Sequence, residues 1–252
     1  MAILQDENKV EEAFKIDFPG FFRRNKITGT INFVSWIVLA ISATIVSIIF
    51  FVLNRTTIEG KENIPKNAKN ILLASNHTSY AFDSCFIGTI AFLPKAFFKG
   101  FSFPYHPTSY SHYHTNKFIT FLCAHLRCIP VKRKWKNEGG IGDQAGIFDE
   151  SGVNLTKEAL KVGNVIYYPE GTRTKDGNIG EGKSGAGILP YETRATVIPV
   201  RIENIDKLPA FGLKLKVIYG KPIYLDDLYD LPQSKETSKL IVDRIMNEIK
   251  SL

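Results

Sequence analysis

Apolar residues are spread unevenly along the chain, and the densest run lies near the amino terminus. Between Lys26 and Arg55 no residue carries a charge, and the 21 residues from Phe33 to Leu53 are almost wholly apolar. At about 1.5 Å rise per residue, a helix of this length covers the roughly 30 Å hydrocarbon core of a bilayer. The pattern predicts a membrane-associated helix, since the core helix of a soluble protein normally carries a polar stripe.

The flanks of this run bear on how it meets a membrane. The acidic residues before it and its late start argue against a cleavable signal peptide. Residues 9–26 mix apolar and charged side chains and end in a basic cluster, as is typical of an interfacial amphipathic segment. Basic residues on both sides leave two alternatives: a spanning helix, or a segment that enters one leaflet and returns with both ends in the cytosol.

From about residue 56 the pattern changes to short β-rich runs that alternate with longer helical ones. Strands are predicted at residues 70–75, 127–133, 164–170, 196–202 and 215–220. Helices are predicted at residues 83–92, 117–125, 148–162 and 235–250. This alternation predicts an α/β fold with a mixed, mostly parallel sheet covered by helices. We therefore divide the chain into a membrane-associated segment, 1–55, with the apolar helix as its anchor, and a folded domain, 56–252.

Composition and charge narrow the class of protein. With 252 residues, 44% of them hydrophobic and 23% charged, the chain is too polar for an all-helical transporter and too apolar for a disordered protein. A net charge of +7 indicates an anionic partner: a phosphorylated substrate, an acidic carrier protein, a nucleic acid or a phospholipid surface. Three cysteines without a C-x2-C pair predict no disulfide framework or zinc site, and indicate a reducing, cytosolic environment.

A first candidate site follows the strand that ends at Ser75. His77 comes directly after it, and Asp83 stands at the start of the next predicted helix. Ligand sites in α/β sheets form at such strand ends, where a histidine can act as a general base while a carboxylate holds its tautomer. The alternative is that Asn76 and Ser79 only shape a turn and Asp83 caps the helix.

A second candidate site follows the strand at residues 164–170. Glu170, Gly171, Thr172 and Arg173 lead into a loop that contains glycines and Lys183. Glycines allow close backbone approach and arginine offers a bidentate fork, so the loop suits a phosphate group. The alternative is a solvated turn.

Three weaker patterns do not change this picture. Residues 177–184 match the nucleotide-binding pattern G-x4-G-K-[ST], but the preceding strand ends seven residues early, and Gly185, Gly187 and Pro190 disfavour a helix after Ser184. We therefore reject nucleotide hydrolysis. His112 and His114 lie in an aromatic loop without an acidic or cysteine partner, so we expect no metal site. The basic stretch 132–136 surrounds a tryptophan and could bind a membrane surface or a nucleic acid. Because the same chain carries an apolar helix, we favour lipid as its partner.

Taken together, the motifs resemble those of the membrane-associated glycerophospholipid acyltransferases, over roughly Ile58 to Tyr224. The family has four motifs, and all are matched in the family's order. The matches are Asn76, His77 and Asp83 for Asn-His-x4-Asp, Arg133 for an arginine after a strand, Glu170 to Arg173 for Glu-Gly-Thr-Arg with Lys183 downstream, and Pro199 for a short apolar strand with proline.

The chain departs from the family pattern at three places. Five residues separate His77 from Asp83, where the family has four. The second motif runs Ile-Pro-Val-Lys-Arg and differs from the usual Phe-Ile-Asp-Arg style. The stretch that corresponds to Lys-x-Glu-Leu begins at Lys95 and lacks its glutamate.

The resemblance implies transfer of a fatty acyl group from acyl carrier protein or coenzyme A to the hydroxyl of 1-acyl-sn-glycerol-3-phosphate, giving phosphatidic acid. It implies no cofactor, no metal and no nucleic acid, and its partners are the acyl donor, lysophosphatidic acid and membrane phospholipids. It also implies an apolar helix pair in one leaflet, with the catalytic domain on the cytoplasmic face. Two alternatives stay open: a different acceptor, such as glycerol-3-phosphate or another lysolipid, and a membrane lipid-binding relative whose catalytic geometry is lost.

The resemblance also assigns roles to residues. His77 would take the hydroxyl proton as general base while Asp83 orients its ring. Arg133, Arg173 and Lys183 would hold the acceptor phosphate. The residues expected to shape the acceptor pocket are Glu170, Gly171 and Thr172, and Lys95 or backbone N–H groups would stabilise the oxyanion.

Overall fold

The structure is a computed structural model that describes residues 22–65, 69–79, 82–92, 103–132, 150–174 and 178–252. The strands are β1 (Arg55–Glu59), β2 (Ile71–Ser75), β3 (His106–Ser109), β4 (Cys128–Val131), β5 (Val165–Tyr167), β6 (Thr196–Glu203) and β7 (Lys214–Tyr219). The helices are α1 (Asn32–Ser47), α2 (Phe82–Phe92), α3 (Tyr110–Tyr113), α4 (Lys117–His125), α5 (Glu150–Val162), α6 (Ile188–Thr193), α7 (Asp226–Tyr229) and α8 (Lys235–Ser251).

A five-stranded sheet forms the centre of the fold, in the order β1-β7-β6-β2-β5, and β3 pairs with β4 in a small second sheet. Within the large sheet only β6 and β7 are antiparallel, so the predicted mixed, mostly parallel sheet is confirmed. Because β2 and β5 are parallel neighbours, their carboxyl ends meet at the same edge of the sheet. This edge therefore brings the two candidate sites together.

Helices cover both faces of the large sheet, which explains why its central strands read as continuous apolar runs. Side chains alternate along β2: Leu72 and Ala74 pack with α5, α6 and α8, whereas Ile71 and Leu73 pack with α1 and α2. All four side chains are almost fully buried. The core thus has two layers, one on each side of the sheet.

The apolar run near the amino terminus forms α1, which continues as a π-helical turn over Ile48–Val52. Within the described residues, Asn32–Val52 is the one helix that is long and apolar enough to cross a membrane by length and composition, with a mean hydropathy of 2.5. One face packs against α2 and α4, and Phe50 meets Phe86 edge to face at 4.7 Å between ring centroids. The other face is apolar and exposed, as Ile41 and Ile45 illustrate.

Two strands and three α-helices of the described residues are absent from the sequence prediction: β1, β3, α3, α6 and α7. Strand β1 was not predicted because its sequence is polar and it pairs only with β7 at the sheet edge. Strand β3 was not predicted because it lies within the aromatic loop and contains a proline. The expectation of no helix after Ser184 is wrong: a 3-10 turn over Ser184–Gly187 leads into α6. Pro190 is tolerated there because it lies in the first turn, where backbone N–H groups lack helical partners.

Candidate active site

The side chains of His77 and Asp83 form a hydrogen-bonded pair at the carboxyl end of β2. His77 lies two residues after β2, and Asp83 is the second residue of α2. The distance from His77 Nδ1 to Asp83 Oδ2 is 2.8 Å, so the expected hydrogen bond is present despite the longer spacing. Asp83 also accepts hydrogen bonds from Thr78 and Ser79, in the loop that precedes its helix. Its carboxylate therefore holds that loop and the His77 ring, and does not act only as a helix cap.

Four donors surround the Asp83 carboxylate, whose side chain is 2% exposed. Besides the His77 ring, they are the backbone N–H of Thr78 at 2.7 Å, its hydroxyl at 3.1 Å and the backbone N–H of Ser79 at 2.9 Å. An ionised carboxylate can only accept, so His77 Nδ1 carries the proton in this pair. The other ring nitrogen, Nε2, is then free to accept a proton from a molecule in the cleft.

The backbone of His77 is held by the loop that follows β5. Glu170 accepts the His77 N–H with Oε1 at 3.1 Å and the Gly180 N–H with Oε2 at 3.0 Å. Thr174 donates its backbone N–H to the His77 carbonyl at 3.0 Å. Burial raises the pKa of Glu170, while the two N–H donors oppose that change. The buried Glu170 side chain thus lies behind the wall of the cleft and fixes His77.

Tyr168 packs flat against the His77 ring. The two ring centroids are 4.1 Å apart and the planes differ by 14°. The Tyr168 hydroxyl lies 2.7 Å from Ser84 Oγ, so the phenol is tied to α2 directly beside Asp83. No sequence pattern marks Tyr168 or Thr174, since only the pairing of β2 with β5 brings them to His77.

A cleft of about 1680 Å³ opens beside this pair. His77, Gly171, Thr172, Arg173 and Lys183 line its polar part. Apolar side chains of α1, of α4 and of the residue that follows α4 line another part: Leu39, Val46, Ile119, Leu122 and Leu126. The cleft thus offers cations and apolar surface in one continuous space, next to a ring nitrogen that can accept a proton.

Two glycines fit the polar loop to its surroundings. Gly171 has a φ of +66°, a left-handed conformation that favours glycine, and its N–H donates to the Tyr168 carbonyl. A side chain at Gly182 would meet Val242 on α8, since an added Cβ would lie 2.0 Å from Val242 Cγ1. The loop that bears Lys183 therefore lies directly against α8.

Several candidate residues are not brought into this site by the described structure. Arg133 and Lys95 lie outside the described residues, although β4 ends two residues before Arg133. The G-x4-G-K-[ST] match fails its structural requirement, because β5 ends at Tyr167, far before Gly177. Within the described part of the chain, no group of three or more His, Cys, Asp or Glu side chains could hold a metal ion.

The chain is similar in sequence to proteins of one known family. A sequence model of the Acyltransferase family matches residues 55–203. The chain is 28% identical over 189 residues to the chloroplastic 1-acyl-sn-glycerol-3-phosphate acyltransferase LPAT1 of Arabidopsis thaliana. The matched region covers 71% of this chain and 46% of that protein. For the chloroplastic 1-acyl-sn-glycerol-3-phosphate acyltransferase BAT2 of Brassica napus the identity is 25%, with 71% and 48% covered. The chain spans about half the length of these relatives.

A solved structure resembles the whole fold. The crystal structure of the 1-acyl-sn-glycerophosphate (LPA) acyltransferase PlsC from Thermotoga maritima covers 93% of this chain and 87% of its own, with a TM-score of 0.57 and 20% identity. At that identity the likeness bears on the fold alone. The family model covers more than half of the 252 residues and includes both the His77–Asp83 pair and the loop from Glu170 to Arg173, so the chain belongs to the acyltransferase family.

Proposed function

We propose that the protein transfers a fatty acyl group from an acyl carrier protein or coenzyme A thioester to the free hydroxyl of 1-acyl-sn-glycerol-3-phosphate. The observation that carries this proposal is the His77–Asp83 pair at 2.8 Å beside a cleft with both cationic and apolar parts. The acceptor has the same two halves, a phosphate and an acyl chain. The product would be phosphatidic acid.

The chemistry needs one proton acceptor and no covalent enzyme intermediate. His77 Nε2 takes the proton of the acceptor hydroxyl as its oxygen attacks the thioester carbonyl carbon. The tetrahedral intermediate then collapses, the carbon–sulfur bond breaks, and the imidazolium returns the proton to the departing thiolate. Asp83 stabilises the imidazolium throughout, as the carboxylate of a histidine–aspartate pair does in serine hydrolases. Backbone N–H groups or Lys95 would stabilise the oxyanion.

The acceptor phosphate would lie at the polar part of the cleft. Arg173 and Lys183 line it, and Gly171 lets the backbone approach closely. A guanidinium pairs with phosphate through two charge-assisted hydrogen bonds, which makes Arg173 the leading contact. Arg133, at the end of the second motif, would supply a further cation.

The apolar helix would lie in one leaflet rather than cross the bilayer. Leu39, Val46 and Phe50 are buried against the domain, so about 17 Å of the helix lies alongside folded protein. If the helix crossed the bilayer perpendicular to its plane, the part of the domain that packs against it would have to lie in the hydrocarbon core. On neighbouring α4, Phe118 and Phe121 are exposed at 67% and 44%, which extends the apolar surface. Both ends of the segment, and the domain, would then lie on the cytoplasmic side.

An acceptor and donor panel tests the proposed reaction. Purified protein in detergent is given a long-chain acyl-CoA or acyl carrier protein thioester with 1-acyl-sn-glycerol-3-phosphate, glycerol-3-phosphate or a lysophospholipid with a blocked phosphate. We expect phosphatidic acid with at least one donor, and little product from the blocked acceptor. Turnover of glycerol-3-phosphate alone would assign the protein to a different acceptor, and lipid binding without turnover would assign it to the non-catalytic alternative.

A further inference from the structure

We infer that Tyr168 is a positioning residue for His77 in the proposed reaction, and that its ring stabilises the imidazolium that forms when His77 accepts the proton. The inference rests on the proposed function only for the timing of that proton transfer. Its structural basis is the stacked pair with centroids 4.1 Å apart.

The geometry meets the requirements of a cation–π contact. A cation within about 6 Å of a ring centroid, over the face of the ring, is attracted by the negative face of the π-system. The His77 ring is stacked on the Tyr168 ring, with 14° between the planes and 4.1 Å between the centroids, so the imidazole faces the phenol ring within this distance. The attraction grows with the charge on the imidazole, so it favours the protonated ring over the neutral one.

The phenol is built to stay neutral and in place. Burial, and after it the charge of Asp83, raises the pKa of Tyr168 well above its usual value, so the ring carries no charge at physiological pH. Its hydroxyl bonds to Ser84 on α2. The imidazole is thus held from two directions: Asp83 forms a hydrogen bond in the plane of the ring, and Tyr168 stacks against the face of the ring.

The hydroxyl and the ring make separable contributions. Tyr168→Phe keeps the aromatic face and removes only the hydroxyl pair with Ser84. Tyr168→Leu keeps apolar volume and removes the π-system, and Tyr168→Met serves the same purpose if the leucine variant does not fold. The other charged or titratable groups that the described residues place beside His77 or in the cleft next to it stay unchanged in these variants; among them are Asp83 and Cys85 from α2, Glu170 and Arg173 from the loop after β5, and Lys183 from the loop before α6.

The first measurement is the pH dependence of kcat for acyl transfer. Without the aromatic face, we expect kcat on the high-pH plateau to fall roughly 2- to 30-fold, with the acceptor KM nearly unchanged. The acidic limb of the profile should move to lower pH by roughly 0.4 to 1.5, because the imidazolium loses stabilisation. Tyr168→Phe should stay close to the wild type in both respects. A purely structural role would lower the plateau without moving the limb.

The second measurement does not depend on turnover. The five histidines are labelled with ¹³C and followed by NMR in detergent, with His77→Ala identifying the His77 signal. We expect this signal to titrate at lower pH in Tyr168→Leu than in the wild type and in Tyr168→Phe. If the signal moves but no acceptor is acylated, the stacking role stands and the proposed function fails. An unmoved signal in the variants without a ring, or a phenylalanine variant that behaves like leucine, would overturn the inference.

Discussion

Replacing Asp83 with asparagine tests the charge of the proposed catalytic pair while conserving its shape. Asp83 Oδ2 accepts from the His77 ring and from the Thr78 N–H, whereas Oδ1 accepts from the Thr78 hydroxyl at 3.1 Å. A hydroxyl can also accept, so the asparagine amide nitrogen would take the Oδ1 position and donate to Thr78. The asparagine oxygen would then keep the bond to His77, and the ring would hold its tautomer and orientation. The charge is lost, and the Ser79 N–H keeps only its 2.9 Å bond to the oxygen at the Oδ2 position, without the 3.0 Å bond that it makes to Oδ1.

The size of the effect follows from the separation of the charges. An imidazolium and a carboxylate whose centres lie about 4 Å apart interact by about 4 kcal/mol at an effective dielectric constant of about 20. Loss of that stabilisation in full would slow the chemical step by roughly 10³-fold, and partial proton transfer in the transition state would reduce this to about 10². We therefore expect kcat to fall roughly 10²- to 10³-fold, with little change in KM.

The assay is release of the free thiol from the acyl donor, measured at saturating acceptor, with circular dichroism and thermal melting as checks on folding. Thr78→Val is the matched control, since it removes only the longest of the hydrogen bonds to Asp83 and should change kcat by a few fold. An Asp83→Asn protein that folds and keeps kcat within about tenfold of the wild type would refute the role given to the carboxylate.

Three further outcomes follow from the same structure. Arg173→Ala and Arg133→Ala should each raise the acceptor KM roughly 10- to 150-fold, since a charge-assisted contact contributes about 1.5–3 kcal/mol. Lys207→Ala is the control, because Lys207 does not line the cleft. Unchanged kinetics in both arginine variants would disprove the phosphate assignment. The protein should stay with membranes in high salt and leave only with detergent, and labelling that places the amino terminus opposite the domain would instead establish a spanning helix. Burial, and after it the nearby Asp83 charge, raises the pKa of Cys85 to about 11, so at pH 8 its alkylation should be about 100-fold slower than that of an ordinary thiol. The alkylation should accelerate in Asp83→Asn. A normal rate in the wild type would contradict the burial of Cys85.

Much of the fold could be predicted because its central strands are buried on both faces. Strands β2, β5, β6 and β7 are dense in apolar and β-branched residues, and the boundaries of α4 match the prediction. Strand β1 could not be predicted in this way, because it is a polar strand at the edge of the sheet and lacks a run of apolar residues. Strand β3 forms through its pairing with β4, a tertiary contact that its own sequence does not encode.

The candidate site divides in the same way. The His77–Asp83 hydrogen bond could be predicted because a strand end and a helix start fix both residues locally. The Tyr168 ring and the Glu170 carboxylate reach His77 only because β5 pairs with β2, and strand order is a property of the whole sheet. Glu170 was expected to shape the acceptor pocket, whereas its oxygens bind the backbone of His77 and Gly180.

The central claim is that His77 acts as the general base in acyl transfer. The direct measurement is formation of phosphatidic acid from 1-acyl-sn-glycerol-3-phosphate by wild-type and His77→Ala protein, with both donor types, alongside thermal melting of each protein. The account predicts product with the wild type, no detectable product with His77→Ala, and similar melting temperatures. A folded His77→Ala protein that makes phosphatidic acid at a rate near the wild type would contradict it.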